Sequence, residues 1–207
     1  MDNIVVTIAR QYGSGGKTIG QMYAEELGIP WYDLNLTKMA SDESGIKEEL
    51  FVQVDEKLKN SPFLRLTTNI YKDGDMIPPG SKDFVSAKNL FNYQARIIKR
   101  LAETESCVII GRAADYVLKD YPNVVSVFVH ASPEYNLQKA MEVNSMSEAE
   151  MQKFIEATDK YRAAYYKHYT GREWTDARNY DLCLNSGKLG IQKCVEEIKA
   201  YIKVRFE

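Results

Sequence analysis

Residues 4–20 read IVVTIARQYGSGGKTIG, and the fold is decided there. IVVTIA at 4–9 is short, apolar and β-branched, which predicts a buried strand. RQYGSGG breaks that pattern. From Lys17 onward Ile19, Met22, Tyr23 and Leu27 fall on one helical face, and Gly28 is a stop signal. A strand, a glycine turn and a helix thus follow one another within 25 residues.

Glycines in such a turn let the chain curl tightly and point several N–H groups inward. The helix N-terminus adds donors and a favourable dipole. Gly13, Ser14, Gly15, Gly16, Lys17 and Thr18 are therefore the candidate phosphate loop. Lys17 is placed to reach β and γ phosphates, and the Thr18 or Ser14 hydroxyl to meet Mg²⁺. The G-x-x-x-x-G-K-[ST] pattern puts glycine where Gln11 stands. A second alignment matches Gly13 and Gly15 to the loop glycines and leaves Gly16 at the lysine position. The competing description is a tight turn with a solvated lysine. GSGGKTIG does not keep the G-x-G-x-x-G spacing of a dinucleotide site.

Beyond the loop, strand-like and helix-like segments alternate. IPWYD (29–33), CVII (107–110), VVSVFVH (124–130) and DLCL (181–184) read as strands. Ile46, Leu50, Val54 and Leu58 suggest a helix, and a longer one runs from Val85 to Leu101. NIYKDGDMIPPG at 69–80 is turn-rich. Ser132 and Pro133 mark one helix start, and Ser147 with Glu150 has capping-box spacing for the next. That helix continues through DKYRAAYYKHY, and Ile191, Val195, Ile198 and Ile202 define the last one. Apolar strands alternating with helices predict an α/β fold, three layers with a parallel sheet covered on both faces.

The strand ends supply further candidates, because ligands of such sheets lie beyond the strand carboxyl ends. Asp33 closes the second strand, either to hold substrate hydroxyls or magnesium, or as a turn residue. Arg112 follows CVII-Gly111 and can grip a phosphate with two donors, or form a structural ion pair. Asp115 can pair with it or with a base. Gln94 sits among apolar helical positions, as a substrate contact or at the exposed edge of the helix. Asp159 and Arg162 are helical neighbours that act only if their helix covers the loop. Tyr161 and Tyr165 have the spacing of packing residues, His130 is expected to be structural, and His168 to be on the surface.

Composition excludes several classes. The chain has 207 residues, 44% of them hydrophobic, and a formal net charge of -2, so no global attraction to nucleic acid is expected. Cys107, Cys183 and Cys194 are too dispersed for a zinc site or a disulfide framework. No apolar run approaches the ~20 residues of a membrane span. With no signal-peptide layout, a cytoplasmic monomer or homodimer is expected.

The segments ARQYGSGGKTIG (9–20), LGIPWYD (27–33), CVIIGRAADYVL (107–118), VFVHASPEYNLQKA (127–140) and above all 159–190 together resemble the cytidylate-kinase-like family, within the nucleoside monophosphate kinase group. The resemblance implies a five-stranded P-loop core ordered 2-3-1-4-5, in a single domain over 1–207. It implies an acceptor-binding insert at 34–84 and a helical lid at 145–178. Asp33, Gln94, Arg112 and Asp115 would then line the monophosphate side, and Asp159 and Arg162 match the lid D-x-x-R element. The implied activity is ATP- and Mg²⁺-dependent transfer to a nucleoside monophosphate, CMP or dCMP first, with Lys17 and Arg162 neutralising charge. Ile155 and Asn136 stand where that group carries arginines, with Lys139 the nearest base to the latter. The alternatives are a kinase for a non-nucleotide metabolite and a nucleotide-binding module without catalysis.

Overall fold

The computed structural model describes residues 3–60, 70–72 and 76–206. The turn-rich segment expected at 69–80 and the Leu58 side chain lie partly or wholly outside them.

β1 (Val5–Arg10) is the middle strand of a five-stranded sheet. It pairs in parallel with β3 (Cys107–Ile110) on one side and β4 (Val124–His130) on the other. β2 (Trp31–Tyr32) flanks β3 and β5 (Leu182–Asn185) flanks β4, giving the all-parallel order β2-β3-β1-β4-β5. Alternate side chains supply two cores. Val5 and Ala9 with Cys107 and Ile109 face one, while Val6 and Ile8 with Val108 and Ile110 face the other. That is why these strands are largely apolar on both faces and show no polar alternation, with Thr7 buried and Arg10 closing β1.

α1 (Gly16–Leu27) and α9 (Ile191–Phe206) cover the second core. Ile19 and Tyr23 are buried there, but Leu27 is exposed at the end of α1. The first core is covered by α2 (Asn35–Ser44), α3 (Glu48–Asn60), α4 (Ala87–Thr104) and α7 (Glu148–Thr170). Full burial of an aliphatic side chain such as Ile8 contributes about 1.5–3 kcal/mol. The remaining helices are α5 (Ala114–Val117), which adds Ala114 and Val117 to the first core, α6 (Pro133–Glu142) and α8 (Ser186–Leu189). The expected caps form: Ser132 Oγ accepts from Tyr135 N, and Ser147 with Glu150 makes the capping box.

Two sequence expectations change. α2 had no counterpart in the apolar pattern, because the residues it buries are Leu36, Thr37 and Ala40. His168 is 5% exposed, not on the surface; it packs edge-on against Tyr169. Among the described residues no helix is long and apolar enough to cross a membrane, and no acidic, histidine or cysteine cluster could hold a metal ion.

Candidate active site

The loop after β1 is held from beneath. Gly13 and Gly15 have φ of +81° and +75°, which glycine adopts without strain. A Cβ on Gly13 would lie 2.2 Å from the Asn136 carbonyl oxygen. Asn136 is thus packing against the loop, and it donates through Nδ2 to Gln11 Oε1 at 3.3 Å. Gln11 Oε1 also accepts from Ala131 N at 3.2 Å, so the residue at the expected glycine position ties the loop to the β4–α6 turn. Ser14 is fully buried, and its Oγ donates to the Gln11 carbonyl. Ser186 Oγ donates to the Ser14 carbonyl at 2.7 Å. Gly15 caps α1, whose first N–H groups have no helical acceptor and face the loop. Of the two hydroxyls considered for magnesium, Thr18 is exposed at this helix end and Ser14 is committed inside.

Charge converges on the ends of β1, β2 and β3. Asp33, buried just after β2, receives two cations: Arg10 Nη2 at 3.5 Å and Lys17 Nζ at 3.2 Å. Lys17 is 49% exposed and also lies over the Trp31 ring, so its ammonium rests at the Asp33 end of the crevice. Arg162 Nη1 donates to the Arg10 carbonyl at 3.0 Å and to Asp159 Oδ1 at 3.2 Å. The same Asp159 oxygen accepts from Tyr12 N at 2.9 Å. The Asp159–Arg162 pair therefore docks α7 onto the loop.

Burial pushes the Arg10 guanidinium down to about 10, with Arg162 adding to the depression and Asp33 opposing it. Arg10 remains protonated at neutral pH. Burial lowers Arg162 as well, against the pull of Asp159, and raises Asp159 against its bond from Tyr12. The charged neighbours of Arg10 are Arg162 and Arg112 against Asp33 and Asp159, so with this guanidinium itself counted cations outnumber carboxylates by one, a setting that suits an anion.

Arg112 follows β3 on a strained turn. Gly111, Arg112 and Ala113 all have positive φ, at 80°, 59° and 51°, and two of the three are not glycine. Arg112 Nη2 donates to Thr37 Oγ1 at 3.3 Å. Asp115 accepts a 2.6 Å bond from the Tyr166 hydroxyl, and burial pushes its carboxyl up to about 6.

Two cavities flank this cluster. One, of about 490 Å³, runs along the glycine loop past Lys17, Thr18, Tyr135 and Lys139. The other, of about 380 Å³, lies at the strand ends and is lined by Asp33, Arg112, Asp115, Tyr161, Phe154 and Trp174 among others. Arg10 and Arg162 line both.

Most of the residues singled out from sequence thus come together: the loop, Asp33, Arg112, Asp115, Asp159 and Arg162. Gln94 stands apart. It is 3% exposed in α4, not at an exposed helix edge, its Oε1 has no hydrogen-bond partner among the described residues, and it lines neither cavity. Arg10 was missed. Its signal was available, an arginine closing a strand beside a glycine loop, but two of its neighbours, Gly111 and Arg162, lie more than 100 positions away.

Comparison with known proteins agrees with this architecture. No curated protein matches the chain. A solved structure of an uncharacterized protein from Eubacterium ventriosum is 26% identical, covers 97% of this chain and 99% of its own, and has a TM-score of 0.70. Shikimate kinase from Bacteroides thetaiotaomicron, at 15% identity and TM-score 0.53, covers 97% of this chain and 98% of its own. TT1252 from Thermus thermophilus, at 14% and 0.54, covers all of both chains. The last two share the fold alone. The model of the cytidylate kinase-like family matches residues 5–188. A P-loop kinase fold, a phosphate-loop turn and a family match over most of the chain lead to one conclusion: this protein belongs to the cytidylate kinase-like family.

Proposed function

We propose that the chain transfers a phosphoryl group from Mg²⁺-ATP to a nucleoside monophosphate, with CMP and dCMP as the leading acceptors. The observation that carries this reading is the meeting of two cavities at Arg10 and Arg162. A donor phosphate chain and an acceptor phosphate would meet at such a junction.

The loop N–H groups of Gly13 to Thr18 suit the β and γ phosphates, and Lys17 stands at the crevice edge to join them. Thr18 is the hydroxyl that fits Mg²⁺, since it is exposed at the helix end. Bound there, the ion would neutralise charge on the phosphates being separated. Arg112 would hold the acceptor phosphate, with Asp33 and Asp115 orienting the rest of the acceptor. An acceptor phosphate oxygen bonds to the γ-phosphorus while the bond from that phosphorus to the β–γ bridging oxygen breaks, leaving ADP. The acceptor is already anionic and needs no strong base. Arg162, held by Asp159 as the lid pair, would meet the charge on the moving group.

A second reading keeps the donor and changes the acceptor to a non-nucleotide metabolite. Ile155 and Asn136 favour it, because neither offers the positive charge expected at those positions, and Asn136 is spent on the loop. A panel of CMP, dCMP, UMP, AMP and small phosphorylated metabolites, followed by mass spectrometry, separates the two. CDP or dCDP formation lost in Arg112→Ala supports the nucleotide reading. Transfer to a non-nucleotide acceptor alone refutes it.

A further inference from the structure

We infer that Arg10 takes the phosphate-neutralising place that a lysine holds at the head of the first helix in G-x-x-x-x-G-K loops, so that here the loop cation comes from the strand. The inference rests on the proposed reading of the loop as a nucleotide phosphate site.

The head of α1 has no room for both side chains. Gly16 is the first helical residue, and a Cβ on it would lie 2.5 Å from Arg10 Cβ and 3.1 Å from Cγ. The Arg10 stem thus fills the space through which a side chain at position 16 would leave the helix. Its head needs a second glycine: a Cβ on Gly111 would sit 2.3 Å from Arg10 Nη1. Two glycines on different elements leave a channel for one arginine.

The nearest lysine does not compete for that position. Lys17 Nζ is on Asp33 and over Trp31, half exposed. Arg10 by contrast lines both cavities, and its side chain is 17% exposed. Among the described residues its guanidinium makes no hydrogen bond, only the 3.5 Å ion pair with Asp33. A guanidinium carries five donors in a planar fork that matches phosphate oxygens in pairs. The ligand class that suits it is the oligophosphate of a nucleoside triphosphate, lying along the loop and reaching the junction.

The test is calorimetric titration of the full chain with Mg-ATP, and separately with adenosine. Arg10→Gln is expected to weaken Mg-ATP about 10- to 100-fold, the scale of a charge-assisted pair, and to leave adenosine unchanged. Arg10→Lys is expected to fall between wild type and Arg10→Gln. Gly16→Lys alone should also lose affinity, because the new side chain meets the Arg10 stem. The double variant Arg10→Ala with Gly16→Lys moves the cation to the helix and should recover binding to within about 10-fold of wild type. Equal loss of ATP and adenosine in Arg10→Gln, or no loss of either, overturns the inference. So does a folded double variant that binds ATP no better than Arg10→Ala. If wild type itself binds no ATP, the reading of the loop has failed, and the inference with it.

Discussion

Arg162 donates from Nη1 to the carbonyl oxygen of Arg10 at 3.0 Å, joining residues 152 positions apart. One side chain of α7 thereby holds the end of β1 while pairing with Asp159, which itself holds the Tyr12 N–H. Arg162→Ala should therefore act on both chemistry and fold. Removing a transition-state donor lowers kcat by about 100- to 1000-fold, and the lost bonds cost about 1–3 kcal/mol. Steady-state rates beside urea melts check both. A kcat within twofold of wild type would show that Arg162 only supports the loop.

Glycine substitutions separate packing from backbone strain. Gly13→Ala puts a Cβ 2.2 Å from the Asn136 carbonyl as well as at φ +81°, whereas Gly45→Ala at φ +71° meets nothing within 4 Å. Gly45→Ala should cost about 1–2 kcal/mol, the left-handed penalty alone. Gly13→Ala should cost clearly more and reduce ATP binding. Equal losses in denaturant melts would mean that the loop can move away from Asn136.

Much of this was legible in the sequence, and the exceptions share a cause. The strands CVII and VVSVFVH begin and end where they were expected, because a doubly covered parallel strand is mostly apolar along its length, Ser126 and the terminal His130 being the exceptions. The glycine loop is legible for a local reason, since a strand, a tight turn and a helix follow one another directly. α2 was not, because a helix that buries Thr37 and Ala40 shows no apolar stripe. Gln11 and Asn136 looked like departures from a phosphate-binding pattern, yet they are bonded to each other across the loop. The role of Arg10 has a local part, its contact with Gly16, and a distant part, Gly111 and Arg162, and no local pattern carries the second.

Gln11→Gly would restore the glycine of the phosphate-loop pattern, yet it should harm this protein. It removes the acceptor for Ala131 N and Asn136 Nδ2 and loosens the backbone. A loss of about 1–3 kcal/mol is expected by urea denaturation. A stabilised variant would contradict the assigned role.

Asp115 gives a pH signature. Burial pushes its carboxyl up to about 6, well above the ordinary aspartate range, so the folded state binds the proton more tightly. Stability from this group is complete below the ordinary range and is lost as pH rises through the raised value. The shift corresponds to on the order of 3 kcal/mol at neutral pH. Asp115→Asn removes the titration. Its stability relative to wild type should therefore rise between pH 4 and pH 6.5 and then level off. A difference that is flat with pH would mean that the buried carboxyl is not perturbed.

The claim that two anion sites meet at Arg10 and Arg162 is tested most directly by a bisubstrate ligand, cytidine and adenosine joined through five phosphates, titrated into the full chain with Mg²⁺. The account predicts one site per chain and binding at least ~100-fold tighter than ATP or CMP alone, because the second half binds at high effective concentration. Binding no tighter than ATP would contradict it, since the two cavities would then not serve one reaction.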